Sequence, residues 1–360
     1  MSVSSTLPPA RPTGPMHWLR GQFRSPLALI LNIAMLMVLV AVVPPVVNWA
    51  LLDAVWTGAS TADCPPDAGA CWAFVGAKSR LILFGTYPYA EHWRAAVATA
   101  LLVVLVIASL NPLNWSRRLG LSWVVGMIVY GVLMWGGVAG LAFVDSTLWG
   151  GLPLTVLLTV IAVAFGFLVA IPVALARAST LPVFRTAATV YIELIRGVPL
   201  ISILFMASVA MPLLLPQGFS LSGLIRVAIG LTLFTAAYMA EVLRGGLQAV
   251  PRGQAEAAQA LGLGYWQTRL RVILPQAFEL VLPAFVSLVI ITLKSTSLVV
   301  IVAMMDLLGA AKAALADPNW IGFYVEAYVF AGLIYVTMCA SISWYGRKVE
   351  TKLRDARGYN

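Results

Sequence analysis

The sequence predicts an all-α polytopic membrane protein of about eight transmembrane helices with both termini in the cytoplasm, and three observations carry that prediction. Of its 360 residues, 61% are hydrophobic and 10% charged, whereas a soluble domain is about one quarter charged; the mean hydropathy is +0.92. Eight apolar stretches approach the roughly 20 residues that cross hydrocarbon with every backbone amide satisfied inside the segment. The basic residues concentrate on alternate loops, which sets the direction of crossing. The excess of 23 Lys and Arg over 14 acids is therefore a matter of sidedness, and it gives no reason to expect a nucleic-acid partner.

The predicted spans are 27–52, 95–113, 119–144, 153–176, 198–215, 227–243, 280–302 and 322–345. The sixth is the shortest, because only 14 residues separate Arg226 from Glu241. With the N-terminus inside, 16 basic residues face the cytoplasm: Arg11, Arg20, Arg24, Arg117, Arg118, Arg177, Arg185, Arg244, Arg252, Arg269, Arg271, Arg347, Lys348, Lys352, Arg354 and Arg357. Five (Lys78, Arg80, Arg94, Arg226 and Lys312) face outside, and Arg196 and Lys294 sit near membrane boundaries. The proline-rich start, 1–26, reads as a disordered cytoplasmic tail with Pro8, Pro9, Pro12 and Pro15. The first span is too long for the core of a cleaved signal and reads as a retained anchor.

Residues 27–149 form a three-span extension with a polar outside loop, 53–94, and no ionisable residue inside its spans. Within that loop Cys64 and Cys71 are separated by six residues, among them Pro65, Pro66 and Gly69. An oxidising compartment would allow them a disulfide, and two unpaired thiols are the other reading. Cys339 reads as a small packing residue in the last span. From 150 to 346 the character changes: Glu193, Arg196, Glu241 and Lys294 appear at the edges of spans or inside them. Charge near hydrocarbon is expensive, so such groups face a cavity or a partner. The tail 347–360 is cytoplasmic.

Two segments, "YIELIRG" and "YMAEVLRG", both carry E-x-x-R-G. On a helix this spacing lets Glu193 pair with Arg196, and Glu241 with Arg244, while Gly197 or Gly245 ends the helix. Solvated ion pairs at a membrane interface would look the same. The cytoplasmic loop 245–279 is polar and alanine-rich, with a short helix expected over 254–261. Ala257, Ala258, Leu261 and Leu263 give that helix an apolar face of mostly small residues, Glu256 and Gln259 give it polar contacts, and Gly262 and Gly264 permit a sharp turn after it. Glu256 also suits the start of a helix dipole.

Spacing adds more than composition. Glu256-Ala257-Ala258, three residues, Gly262, nine residues, Val272, one residue and Leu274-Pro275 resemble the EAA loop of ATP-binding-cassette importer permeases. "YIELIRGVPLI", "AAYMAEVLRGGLQAVPRGQAEAAQALGL", "VILPQAF" and "LKSTSLV" are similar to the polar amino acid branch of that family, over about 150–347, and the long N-terminal extension resembles the larger permeases of general L-amino acid uptake systems. The resemblance implies a five-helix type I importer core. Glu256, Ala257, Ala258, Gly262, Leu274 and Pro275 would then couple to an ATPase. The implied partners are a homologous second permease, two cytoplasmic ATPase subunits holding ATP and Mg, a periplasmic amino acid-binding protein, the amino acid substrate and the lipid bilayer of the inner membrane. No G-x-x-x-x-G-K-[ST] loop is present, so this chain is read as a transport subunit with no cofactor or metal of its own.

Two regions are expected to meet substrate. At Gly197, Val198 and Pro199 a helix breaks, and amides or carbonyls freed near a break could hold a zwitterion; a proline starting a new span explains the same residues. Lys294, Ser295 and Thr296 place a cation among hydroxyls, where Lys294 could take a carboxylate or reach Glu241, itself a substrate candidate. Relatives often carry an acid where Ser295 stands, so the resemblance implies a broad or acidic amino acid range more than a cationic one. The rival reading is an ion-coupled secondary transporter. That reading wants a mid-membrane acid or histidine, yet His17 and His92 fall outside the predicted spans and Glu193 lies near a boundary.

Overall fold

The computed structural model describes residues 25–111, 114, 116–216, 218 and 220–356. The expected N-terminal tail, with Arg11, Arg20 and Arg24 among it, lies outside them except for its last two residues, and so does Arg357. Among the described residues the chain is helical, with one two-residue strand. Seven helices are long and apolar enough to cross a membrane, and a bent pair adds an eighth crossing if it counts as one.

By its internal contacts the chain divides at Gly76 into two units. In the first, α1 (Pro26–Leu52) starts at a cap where the Ser25 hydroxyl accepts from the Ala28 amide at 3.1 Å, and it ends in a π turn, Asn48–Leu52, after Pro44 and Pro45. Beyond it, Cys64 and Cys71 are disulfide-bonded with their Cα atoms 6.0 Å apart. Trp72 donates to the Ala50 carbonyl at 2.7 Å and packs near the rings of Trp49 and Trp56. The loop read as 53–94 also contains a helix, α2 (Trp72–Phe84), within which the boundary between the units falls.

In the second unit, α3 (His92–Ser109) begins three residues before the predicted span, which brings Arg94 inside a helix. Arg94 is fully buried, and its guanidinium donates to the carbonyls of Leu133 (2.8 Å) and Ala142 (2.9 Å) and pairs with Glu91. It thereby ties α3 to the end of α4 (Arg117–Trp135). The predicted third span ran on to 144; α4 stops at Trp135 because Gly136 and Gly137 take φ of +67° and +76° and turn the chain out of the helix.

The remaining helices are α5 (Gly151–Arg177), α6 (Pro182–Gly197), α7 (Leu200–Leu214), α8 (Gly223–Ala249), α9 (Arg252–Ala260) and α10 (Tyr265–Val302), followed by β1 (Met305–Asp306), α11 (Leu307–Ala314) and α12 (Tyr324–Ala356). Helices α5 and α8 form the central pair. Ala162, Gly166, Ala170 and Ala174 recur every four residues on α5 and are buried; a Cβ added at Gly166 would lie 3.1 Å from Thr235 of α8. Small residues at this spacing let helix backbones approach inside a membrane, where apolar burial alone does not drive association. Two apolar cores stack along the pair: one includes Trp149, Leu154, Leu158, Leu231 and Met304, the other Ala170, Ala174, Leu243, Leu247 and Ala277.

At the outer end the start of α5 forms a junction of bare backbones. Gly150 and Gly151 bridge in parallel to Met305 and Asp306. On their other side, a Cβ at Gly151 would stand 2.2 Å from the Leu83 carbonyl, and one at Gly85 2.6 Å from the Gly150 Cα. Beside this junction Lys78 of α2 is paired with Asp317.

Candidate functional site

The loop read as 245–279 is shorter at both ends than expected. The 27-residue α8 runs past Gly245, which therefore does not end it. On the far side α10 begins at Tyr265, so Leu274 and Pro275 lie within a helix. The π turn Thr268–Ile273 precedes Leu274, and Pro275 sits at the start of the regular α-helical part, where its missing amide costs little. What remains between is α9 and one turn.

That turn is built as the glycine spacing predicts. Gly262 has φ +82°, the Leu263 amide donates to the Ala258 carbonyl at 3.1 Å, and the Gly262 amide donates to the Gln259 carbonyl at 2.9 Å. These are the paired bonds of a Schellman ending, and they need a left-handed residue at that position. Gly264 has an ordinary φ of −66°. Ala258 is buried, whereas Glu256, Ala257 and the apolar Leu261, Tyr265, Trp266 and Leu270 are exposed, Leu261 to 83%. Gln276 donates to Gln254 at 3.2 Å and to the Val272 carbonyl at 2.9 Å, which joins α9 to α10. Just beyond the arm α10 is in close contact with α8, since a Cβ at Gly246 would fall 2.6 Å from the Ala277 carbonyl.

A helix break falls at Val198 and Pro199. Helix α6 ends at Gly197, α7 starts at Leu200, and the two meet at 105°. Helix α6 packs against α8, its Tyr191 hydroxyl donating to the Leu233 carbonyl at 2.7 Å. Its Ala188 and Ile192 are buried, Val183, Val190 and Leu194 are exposed, and Arg185, Thr189, Glu193 and Arg196 form a polar stripe. The first part of α7 packs against the Thr296–Val302 end of α10, so the break and the hydroxyl segment are neighbours. Thr296 is fully buried and donates to the Leu293 carbonyl; Ser295 is half-buried and Lys294 exposed.

Glu241 lies apart from that segment, among arginines. Its carboxylate takes two hydrogen bonds from Arg244, at 2.6 and 3.0 Å, as the i,i+3 spacing predicts. Arg177, in the last turn of α5, stands 3.7 Å away, and Arg196, in the last turn of α6, 3.8 Å. No ion pair joins Lys294 to Glu241 among the described residues. The expected Glu193–Arg196 pair is also replaced: Glu193 accepts from Arg177 at 2.9 Å, while Arg196 turns to Glu241 and the Tyr238 ring. The acid and base of "YIELIRG" are each drawn to a neighbouring helix. These side chains retain 17 to 59% exposure, at which an ion pair contributes about 1 kcal/mol or less. The cluster therefore bears on where helix ends are held more than on overall stability.

Three features were not anticipated. The hydroxyls of Thr235 and Thr292 approach to 3.4 Å between α8 and α10. Arg177 is the bridge between Glu193 and Glu241, a role for which its position at a helix end was the available signal. Asp306 is buried at the outer end: it accepts from the Gly309 amide at 2.9 Å, capping α11, and from the Tyr335 hydroxyl at 2.8 Å, while Thr155 accepts from the neighbouring Leu307 amide at 3.1 Å. Burial pushes the Asp306 carboxyl above the ordinary carboxylate range.

Comparison with known proteins adds sequence likeness to this geometry. The family described as binding-protein-dependent transport system inner membrane component matches residues 162–355. The chain is 42% identical over 349 residues to the inner membrane amino-acid ABC transporter permease protein YhdY of Escherichia coli (strain K12), covering 95% of this chain and 94% of that one. It is 33% identical over 422 residues to the glutamate/glutamine/aspartate/asparagine transport system permease protein BztC of Rhodobacter capsulatus, covering 97% and 96%. Likeness to the arginine transport system permease protein ArtQ of Bacillus subtilis (strain 168), at 33% identity, covers 57% of this chain and 91% of that one.

Proposed function

The chain belongs to the family of binding-protein-dependent transport system inner membrane components, and from that membership we propose that it is one permease subunit of an importer carrying L-amino acids from periplasm to cytoplasm, with ATP hydrolysed on a partner. The observation that carries the reading is α9 with its Gly262 turn: a short cytoplasmic helix, joined to α10 by the Gln276–Gln254 bond, that leaves Glu256 and Leu261 open beside the exposed Tyr265 and Trp266 at the start of α10. An apolar patch with polar neighbours on a tethered helix suits a protein partner.

In this reading two ATPase subunits with ATP and Mg close beneath this permease and a homologous second one. They draw the α9 helices together, and the spans alternate between inward-open and outward-open states around substrate delivered by a periplasmic binding protein. Glu256, Ala257, Ala258, Gly262, Leu274 and Pro275 shape the docking arm. The break at Gly197, Val198 and Pro199, with Lys294, Ser295 and Thr296 beside α7, lies along the substrate path; Lys294 supplies a cation for a carboxylate. The names of the relatives span acidic, amide and basic amino acids, and the missing acid at Ser295 favours a broad or acidic range.

The test is affinity purification of the chain from its native membrane, followed by uptake of radiolabelled glutamate and arginine into proteoliposomes containing the purified assembly and binding protein. Co-purification of an ATPase and ATP-dependent uptake of glutamate are expected. A chain that arrives without an ATPase, or takes up either amino acid without ATP, would overturn the proposal.

A further inference from the structure

Resting on the reading of α9 as the ATPase-docking arm, we propose that Glu241 is a positioning residue that passes displacement of that arm to the helix break at Val198 and Pro199. Two helix ends and α8 itself meet at its carboxylate: Arg177 closes α5, Arg196 closes α6 one residue before Gly197, and Arg244 lies on α8 with Glu241. Helix α8 runs uninterrupted from Gly223 to Ala249, and α9 begins three residues later at Arg252. A pull on α9 therefore reaches α8 across the extended Val250–Pro251 link, and from Ala249 to Glu241 it passes through continuous helix with no hinge.

From Glu241 the movement has two exits. Arg196 hands it to the end of α6, and beyond Pro199 to α7, which packs on the Thr296–Val302 end of α10. Arg177 hands it to α5 and, through Glu193, back to α6. Tyr191 adds a fixed point by donating to the Leu233 carbonyl of α8 at 2.7 Å. Helix α6 is thus pinned to α8 at two places along its last two turns, while its chain turns away at 105° immediately afterwards. Rotation of α8 then biases the angle at the break. The carboxylate sits where only a multivalent acceptor could hold three guanidiniums, and two of them come from other helices. Had its partner been Arg244 alone, the pair would stay within one helix and transmit nothing.

The experiment uses the complete reconstituted transporter and reads radiolabelled glutamate taken up per ATP hydrolysed. Glu241→Gln is expected to lower that ratio about fivefold or more, the scale of an ordinary coupling between distant sites. Adding Arg196→Gln to Glu241→Gln should lower it little further, because both act through one contact. The reversal Glu241→Arg with Arg244→Glu restores a pair within α8 but sets an arginine against Arg177 and Arg196, and it should remain as poor as Glu241→Gln. Should Glu241→Gln fail to assemble, Arg196→Gln alone, which unhooks only α6, must lower the ratio. A wild-type ratio in Glu241→Gln, in Arg196→Gln or in the reversal would overturn the proposal. Absence of ATP-driven uptake in the unmodified transporter would instead sink the docking reading on which it rests.

Discussion

Asp306 and Glu241 sit at opposite ends of the same helix bundle and are satisfied in opposite ways. Asp306 is fully buried and held by neutral donors, one a backbone amide and one the Tyr335 hydroxyl. Glu241 is about one fifth exposed and held by three guanidiniums from three helices. Neutral hydrogen bonds in a buried place are costly to leave unmade, so the outer acid resists rearrangement. Charged contacts at 3.7 to 3.8 Å in partial contact with water are exchanged at small cost. One end is built as a fixed closure and the other as an adjustable one, which accords with a machine driven from the cytoplasmic side.

The largest effect expected from breaking this contrast is at Asp306→Ala. The Gly309 amide and Tyr335 hydroxyl lose their acceptor in a buried site, and together with the lost helix cap this should cost about 2 to 4 kcal/mol. Thermal unfolding of the purified protein checks it; an unchanged midpoint would remove the idea of a fixed outer closure. Smaller is the effect of salt. Raising ionic strength to about 1 M shortens the screening length to about 3 Å, so the stability difference between wild type and Glu241→Gln, about 1 kcal/mol or less, should shrink. The Asp306→Ala difference should stay. If salt moved both alike, the two acids would be the same kind of contact.

The smallest effect is in pH, and here two outer carboxyls should disagree in sign. Burial raises Asp306 above its unfolded value, so its contribution to stability is full below that value and is lost as pH rises through the raised one. The hydrogen bond from Lys78 holds Asp317 below the ordinary range, so its contribution is full above its unfolded value and is lost as pH falls through the depressed one. Acidification through the carboxylate range should therefore favour the fold at Asp306 and weaken it at Asp317. Unfolding midpoints of Asp306→Asn and Asp317→Asn, each subtracted from wild type across that range, should slope in opposite directions; parallel slopes would refute the assignment.

Local signals in the chain were the readable ones. The Gly262 turn, the break before Pro199, the Glu241–Arg244 pair and the Cys64–Cys71 spacing each depend on residues a few positions apart, and the structure contains all four. Apolar length located the crossings but not their ends: α4 stops at Trp135, before Gly136, and α10 extends back to Tyr265, because a turn glycine or a π turn overrides hydropathy. The partners of Glu193 and Asp306 were hidden for another reason. Arg177 is 16 residues from Glu193, Tyr335 is 29 from Asp306, and Thr155 is 152 from Leu307. Helix packing brings them together, and side-chain spacing along one helix carries no record of it.

The glycine junction at the outer end has a consequence for synthesis. Leu83, Gly85, Gly150 and Gly151 can meet as soon as α5 is made, but the third segment of the junction, Met305 and Asp306, leaves the ribosome only after α10 has been threaded. Until then the bridge edge of Gly150 and Gly151 stands open. The contact of α2 with the start of α5 thus waits on one of the latest segments, and a chain ended between α5 and α10 would carry this junction without the strand that closes it.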